Sequence, residues 1–309
     1  MVPRYSLIVL LILVLSGCVT APPTLTPAPV IESTRTPDAP TLVPNSVSND
    51  FAKVRNAMYQ LGTTDSLQVV QLKDGVYETG TPGGADFMSV KMLNFIASGD
   101  LNGDGFDEVA ALVSENFGGT GVFVFLTVFS DVNGTLTFQT SAVVDDRPLV
   151  NALSVENGEI FLDAVIHDVD EPMCCPTLRT TRHYRLTQNN QLDMVDFTTF
   201  TPAGDPRTIT IEAPPNGTEV YSTVQVKGSV AIAPFENNLE YHIYDGGGLE
   251  LSIGAITVNA PDLGAPGTFD ATIPLGSILS GVIVRIEVRN VSAADGSLLA
   301  MDSIELVVK

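Results

Sequence analysis

The sequence predicts a mainly β protein: an N-terminal α+β domain with an antiparallel sheet and one short helix, followed by a C-terminal β-sandwich. Three observations predict it. Short apolar runs recur through the chain, separated by turn residues such as Asn157-Gly158 and Pro214-Pro215-Asn216-Gly217. Only one stretch, near Phe51, has helical apolar spacing. About seven short strands then crowd into the last ~100 residues, the density of a sandwich.

The chain has 309 residues, enough for about two domains. Its net charge is −21, and this negative surface repels phosphate, which excludes nucleic acid as a partner. The charge is dispersed, as on a solvated face, with no acidic tail. There is no Trp, which disfavours an aromatic carbohydrate platform.

Arg4 precedes the apolar run Leu7 to Leu15, which ends in Ser16-Gly17-Cys18. A spanning helix needs ~20 apolar residues, so the run reads as a cleaved signal peptide over residues 1–17. Leu15-Ser16-Gly17-Cys18 resembles the bacterial lipobox. The resemblance implies a thioether-linked diacylglycerol on Cys18, an acylated anchor in the cell membrane and an extracytoplasmic location. Residues 18–47 are rich in Pro and Thr and read as a disordered, extended tether.

The first folded region is expected over 48–200. Ser48 or Asn49 can cap a helix over Asp50 to Leu61, where Phe51, Val54, Met58 and Leu61 share one face; Gly62 ends it. Leu67 to Leu72 and Val76 to Glu78 flank Lys73-Asp74-Gly75, a hairpin signal. Strands are expected at Val109–Val113, Val122–Phe129, Leu136–Thr140, Ala152–Val155, Ile160–Val165 and Thr180–Leu186, with turns at Asn133-Gly134 and Asn157-Gly158. Gly118-Gly119-Thr120-Gly121 lacks the spacing of a phosphate loop and reads as a hairpin turn.

The sharpest motif runs from Asp100 to Val109. Asp100, Asn102, Asp104 and Glu108 place oxygen side chains at alternating positions, Gly105 permits a tight turn, and Phe106 can offer its carbonyl. The set suits Ca²⁺, while an Asx-rich turn stable without metal is the competing reading. No Glu stands where a full EF-hand needs one, because Leu112 is there. The loop resembles that of FG-GAP and dockerin-type repeats, which implies a structural calcium ion. Only one copy is present, so a multi-bladed propeller is not expected.

Cys174 and Cys175 are adjacent and precede Pro176. Outside the cytoplasm they can close a vicinal disulfide that stiffens the loop, or remain two structural thiols. A zinc site from His167, Cys174, Cys175 and His183 is the third reading, and its spacing is not standard. Met173 to Thr177 with Thr180 to Leu186 also resembles a segment of bacterial lipoproteins that brings no known activity.

The second folded region is expected over 207–309, with strands at Thr208–Ile211, Val224–Val230, Leu239–Tyr244, Ile253–Val258, Thr268–Ile273, Val282–Val288 and Ser303–Val308. Ile211 to Gly217, Val224 to Gly228, Pro234 to Leu239, Asp245-Gly246, Gly267 to Phe269 and Ser292 to Ser297 follow in an order that resembles the immunoglobulin-like domain of bacterial spore-germination proteins. The resemblance implies an immunoglobulin-like β-sandwich, an accessory extracytoplasmic module without catalytic residues. It also implies Phe235 as a core anchor, with Glu236 and Asn238 at a loop.

The chain holds no G-x-S-x-G, H-E-x-x-H or P-loop pattern. His167, His183 and His242 read as structural, and Asp145-Asp146 beside Arg147-Pro148 reads as a solvated turn. The expected function is therefore non-enzymatic: a membrane-anchored surface lipoprotein that binds an envelope polymer or a protein partner. A structural envelope component is one alternative; an enzyme with an unrecognised site in 48–200 is another. A polar cleft with perturbed titrating groups favours the enzyme, and a continuous apolar patch favours the binding module.

Overall fold

The computed structural model describes residues 45–309 apart from 63–67, 133 and 277. Cys18, the leader, most of the tether and Asn133 of the expected Asn-Gly turn lie outside the described residues.

A helix, α1 (Asn45–Val54), leads into β1 (Met58–Leu61) and β2 (Gln68–Gln71), which pair antiparallel. The helix expected over Asp50 to Leu61 thus stops at Val54. In Met58–Leu61 burial alternates, with Tyr59 and Leu61 fully buried and Met58 exposed, so period two prevails over helical spacing.

A five-stranded antiparallel sheet follows: β3 (Val76–Thr79), β4 (Met88–Gly99), β5 (Glu108–Asn116), β6 (Phe123–Val132) and β7 (Thr135–Asp146), in chain order. The expected turn at Lys73-Asp74-Gly75 forms: Lys73 and Val76 exchange backbone hydrogen bonds around Asp74 and Gly75, both at positive φ. Among the described residues the flanking strands do not extend it into a hairpin, because β2 pairs with β1 and β3 with β4. β5 is apolar on both faces because both are covered. Val109, Ala111 and Val113 pack with α1, β1 and β2, while Ala110 and Leu112 pack with later strands.

Those later strands are β8 (Leu149–Glu156), β9 (Glu159–Ile166), β10 (Leu178–Leu186) and β11 (Leu192–Thr199). Asn157 and Gly158, both at positive φ, make the turn from β8 to β9. A turn at 200–206 then leads to β12 (Ile209–Ala213), β13 (Thr218–Val220), β14 (Thr223–Val230), β15 (Asn238–Asp245), β16 (Glu250–Asn259), β17 (Gly267–Pro274), β18 (Ile283–Val291) and β19 (Leu298–Val308). The last region is a sandwich. Val226, Ile243, Ile256, Phe269, Ile273, Val284, Ile286, Val288 and Leu306 form its core, drawn only from residues 209–308. Phe235, expected in that core, is 67% exposed. It lies in a one-turn 3₁₀ segment whose Glu236 and Asn237 have positive φ, which turns its ring outward; Ala233 and Leu239 on either side are buried instead.

The sheet does not stop at the turn. β19 pairs with β11 through Asp196↔Asp302, Phe197↔Met301 and Thr198↔Ala300, giving one path β12-β14-β17-β16-β15-β18-β19-β11-β10-β9-β8. Directly opposed residues in antiparallel strands point to the same face. The row Leu162–Arg182–Phe197–Met301–Arg289–Glu240 begins in the core shared with the five-stranded sheet and ends on an outer surface. The adjacent row, Phe161–His183–Asp196–Asp302–Val288–Tyr241, begins outside and ends in the sandwich core. The covered face of the sheet therefore changes sides at β11–β19.

Candidate functional site

A cavity of about 520 Å³ lies at this exchange, lined among others by Glu159, His183, Arg185, Asp196, Thr198 and Asp302. The strands themselves supply it. His183 and Asp196 stand on the outer face of β10 and β11, and Asp302 enters from β19. Ile209 and Thr210 of β12 form part of the lining. A second cavity, about 590 Å³, shares Glu159, Arg185 and Asn216 with the first.

The cationic groups here are already matched. Glu159 accepts from Arg185 at 2.7 Å, and its other oxygen lies 3.5 Å from His183 Nδ1. Arg185 also reaches Glu305 at 3.4 Å. The hydrogen bond that His183 donates to Glu159 raises the His183 pKa, and His183 in turn holds the Glu159 carboxyl below its usual range against the effect of burial.

The other two carboxyls, Asp302 and Asp196, are less well matched. Asp302 accepts the backbone N–H of Ile211 at 2.6 Å and that of Ser303 at 2.7 Å. Burial still raises its pKa. Asp196 has no hydrogen-bond partner among the described residues. Burial first, and then the facing Asp302, push its pKa up to about 7, although His183 opposes this. The cavity thus holds, in Asp196, a carboxyl whose pKa lies near neutrality beside Glu159, which is held below its usual range. Sequence reasoning missed Asp196, Asp302, Glu159 and Arg185, and read His183 as structural.

The residues singled out from the sequence lie elsewhere. In the Asp100 loop the two Asp100 oxygens accept from Gly103 and Gly105 N–H at 2.7 and 2.9 Å. Asn102 Oδ1 accepts from Asp104 N–H, and Asp104 Oδ1 from Phe106 N–H. Glu108 is buried and accepts from Leu101 N–H at 3.0 Å and from the Asn102 amide at 2.8 Å. Burial, with the charges of Asp104 and Asp100 adding to it, raises the Glu108 pKa. The residue types fit calcium, whereas the arrangement is an Asx turn closed by its own N–H donors. Among the described residues no group of three or more His, Cys, Asp or Glu side chains is placed to hold a metal ion.

Cys174 and Cys175 are joined as a disulfide at the tip of the β9–β10 loop. Glu171 ties the loop together, accepting from the N–H groups of Asp168 and Thr177. His167 meets Asp145 through both its backbone N–H and its ring, and His183 meets Glu159, so the zinc set of two histidines and two cysteines is not assembled. Asp146, read as part of a solvated turn, is nearly buried and accepts from Val122 N–H and Arg147. No helix among the described residues is long and apolar enough to cross a membrane.

A search of curated proteins finds no match to this chain. Residues 208–297 match a family model, Gmad2, described as the immunoglobulin-like domain of bacterial spore germination. The matched span covers β12 to β18 and ends just before β19, the strand that joins the sandwich to β11. The C-terminal sandwich is therefore an immunoglobulin-like domain of the spore-germination type.

Proposed function

We propose that this chain is a surface lipoprotein, held to the cell membrane by lipid on Cys18, and that it works as a non-catalytic binding module at the cell envelope. The partner is an envelope polymer or protein; the net charge of −21 speaks against nucleic acid. One observation carries the reading: the cavity at the β11–β19 exchange, which Asp196 lines with no hydrogen-bond partner among the described residues. Unmatched polar groups that converge in a concave site are the usual mark of a ligand site. The immunoglobulin-like domain, an accessory module by family resemblance, supports a binding role and by itself implies none in germination.

The experiment is capture from the native envelope by the soluble chain starting at Val43, compared with its Asp196→Asn variant. Retention of an envelope component by the first and its loss from the second is the expected result. Equal retention would count against the cleft.

Calcium belongs to the proposal as a structural ion at the Asp100 loop. Its support is the set of oxygen-bearing residues there and the crowding of Glu108 by Asp100 and Asp104, which a cation would relieve. A second reading, an enzyme, is favoured by one observation: burial pushes the Asp196 pKa up to about 7 while His183 holds Glu159 below its usual range in the same cavity, an arrangement suited to acid and base. Its test is shortening of a purified envelope polymer by the wild-type chain but not by Asp196→Asn.

A further inference from the structure

We propose that the ligand of the β11–β19 cleft presents a protonated primary amine, which seats against Asp196 and Asp302. The inference rests on the cleft being the binding surface and names the chemistry that fits it.

The cavity lacks a free positive charge. Its cations, Arg185 and His183, are engaged by Glu159, and Arg185 also by Glu305. Its carboxylates outnumber them. Asp196 and Asp302 stand directly opposite each other across two hydrogen-bonded strands, a placement in which like charges repel. Backbone N–H groups partly compensate Asp302; Asp196 has no such partner among the described residues. The missing component is therefore a positive group that donates hydrogen bonds.

Three features point to an ammonium group. It carries three donors and no acceptor, and the cavity offers acceptors in Asp196, Asp302 and the Thr198 and Thr181 hydroxyls. A metal ion asks for several ligands converging on one point, and no such group of His, Cys, Asp or Glu is present among the described residues. The chain's net charge of −21 draws cations toward its surface. The other titrating groups that face Asp196 are His183 and Glu159, with Glu156 acting on His183; none supplies an unpaired positive charge. Seating an ammonium group would ionise Asp196 and release its proton.

The probe is cadaverine, with the uncharged diol of equal length as control, titrated calorimetrically into the soluble chain from Val43 and into Asp196→Asn. Circular dichroism confirms that the variant is folded. We expect cadaverine to bind and the diol not to, with affinity at least about tenfold lower in Asp196→Asn. Affinity should also rise about tenfold from about pH 6 to about pH 8 as Asp196 gives up its proton. Binding of the diol as tight as that of cadaverine, or cadaverine binding unchanged in the variant, overturns the proposal. No cadaverine binding by a chain that still captures its envelope partner overturns the proposal alone. Capture that is insensitive to Asp196→Asn removes the cleft reading beneath it and the proposal with it.

Discussion

Asp196 of β11 stands directly opposite Asp302 of β19, the first of three residue pairs that carry the sheet from one region of the chain into the other. The junction therefore opens on two opposed carboxyls, and burial, with the neighbour adding to it, pushes the pKa of Asp196 up to about 7.

This placement makes stability depend on pH with a definite sign. The folded Asp196 pKa, about 7, lies above its unfolded value, so the folded state binds more protons between those two values and loses stability as pH rises through the window. His183 acts in the same direction. Its raised pKa stabilises below the unfolded value and ceases to do so as pH passes the folded one. Urea unfolding at about pH 5 and about pH 8 should show the wild type weaker at the higher pH, and Asp196→Asn should recover ~1–2 kcal/mol there. A variant no more stable than the wild type at the higher pH would refute the repulsion.

Glu115 is fully buried, its two oxygens have no hydrogen-bond partner among the described residues, and burial pushes its pKa up to about 7. Removing an unsatisfied buried carboxyl should help the fold. Glu115→Met is expected to raise stability by ~1–3 kcal/mol at about pH 8, measured by chemical denaturation. A loss of stability would indicate an unseen partner.

Gly228 sits where β14 passes β12. A Cβ there would lie 2.1 Å from the Thr210 carbonyl oxygen and 2.4 Å from the Phe269 ring. Gly228→Ala should cost ~2 kcal/mol or more, read as a lowered melting temperature. An unchanged melting temperature would mean that the sandwich opens without strain.

Calcium, if it binds the Asp100 loop, should raise the melting temperature of the soluble chain through mass action, and Asp100→Ala should abolish the gain. The same Asp100→Ala change also removes acceptors for Gly103 and Gly105 N–H, so the metal-free protein should lose stability as well. No calcium effect on the unmutated chain would leave the loop as an Asx turn alone.

The strands were legible where local chemistry dictates them. Asn157-Gly158 supplies the positive φ values its turn needs, Val224 to Val230 alternates, and Ile160 to Val165 is apolar except for Asp163. β4 and β11 escaped notice because Met88–Gly99 and Leu192–Thr199 mix polar and apolar residues without a clean period. Helical spacing at Phe51, Val54, Met58 and Leu61 misled because pairing with β2, and not the intrinsic pattern, decides Met58–Leu61. The site was not legible. Asp196 and Asp302 are more than a hundred residues apart in sequence, and only strand register brings them face to face. Cys174 and Cys175 needed no such information, because adjacency alone raised the disulfide.

The cleft turns on the state of one side chain, so the decisive measurement is the carboxyl ¹³C titration of Asp196 by NMR. It should give a midpoint near the value of about 7 set by burial and by Asp302, and that midpoint should fall in Asp302→Asn. A midpoint at an ordinary aspartate value, ~4, unmoved by the change at Asp302, would contradict the opposition of charges on which the cleft, its ligand and its pH dependence all rest.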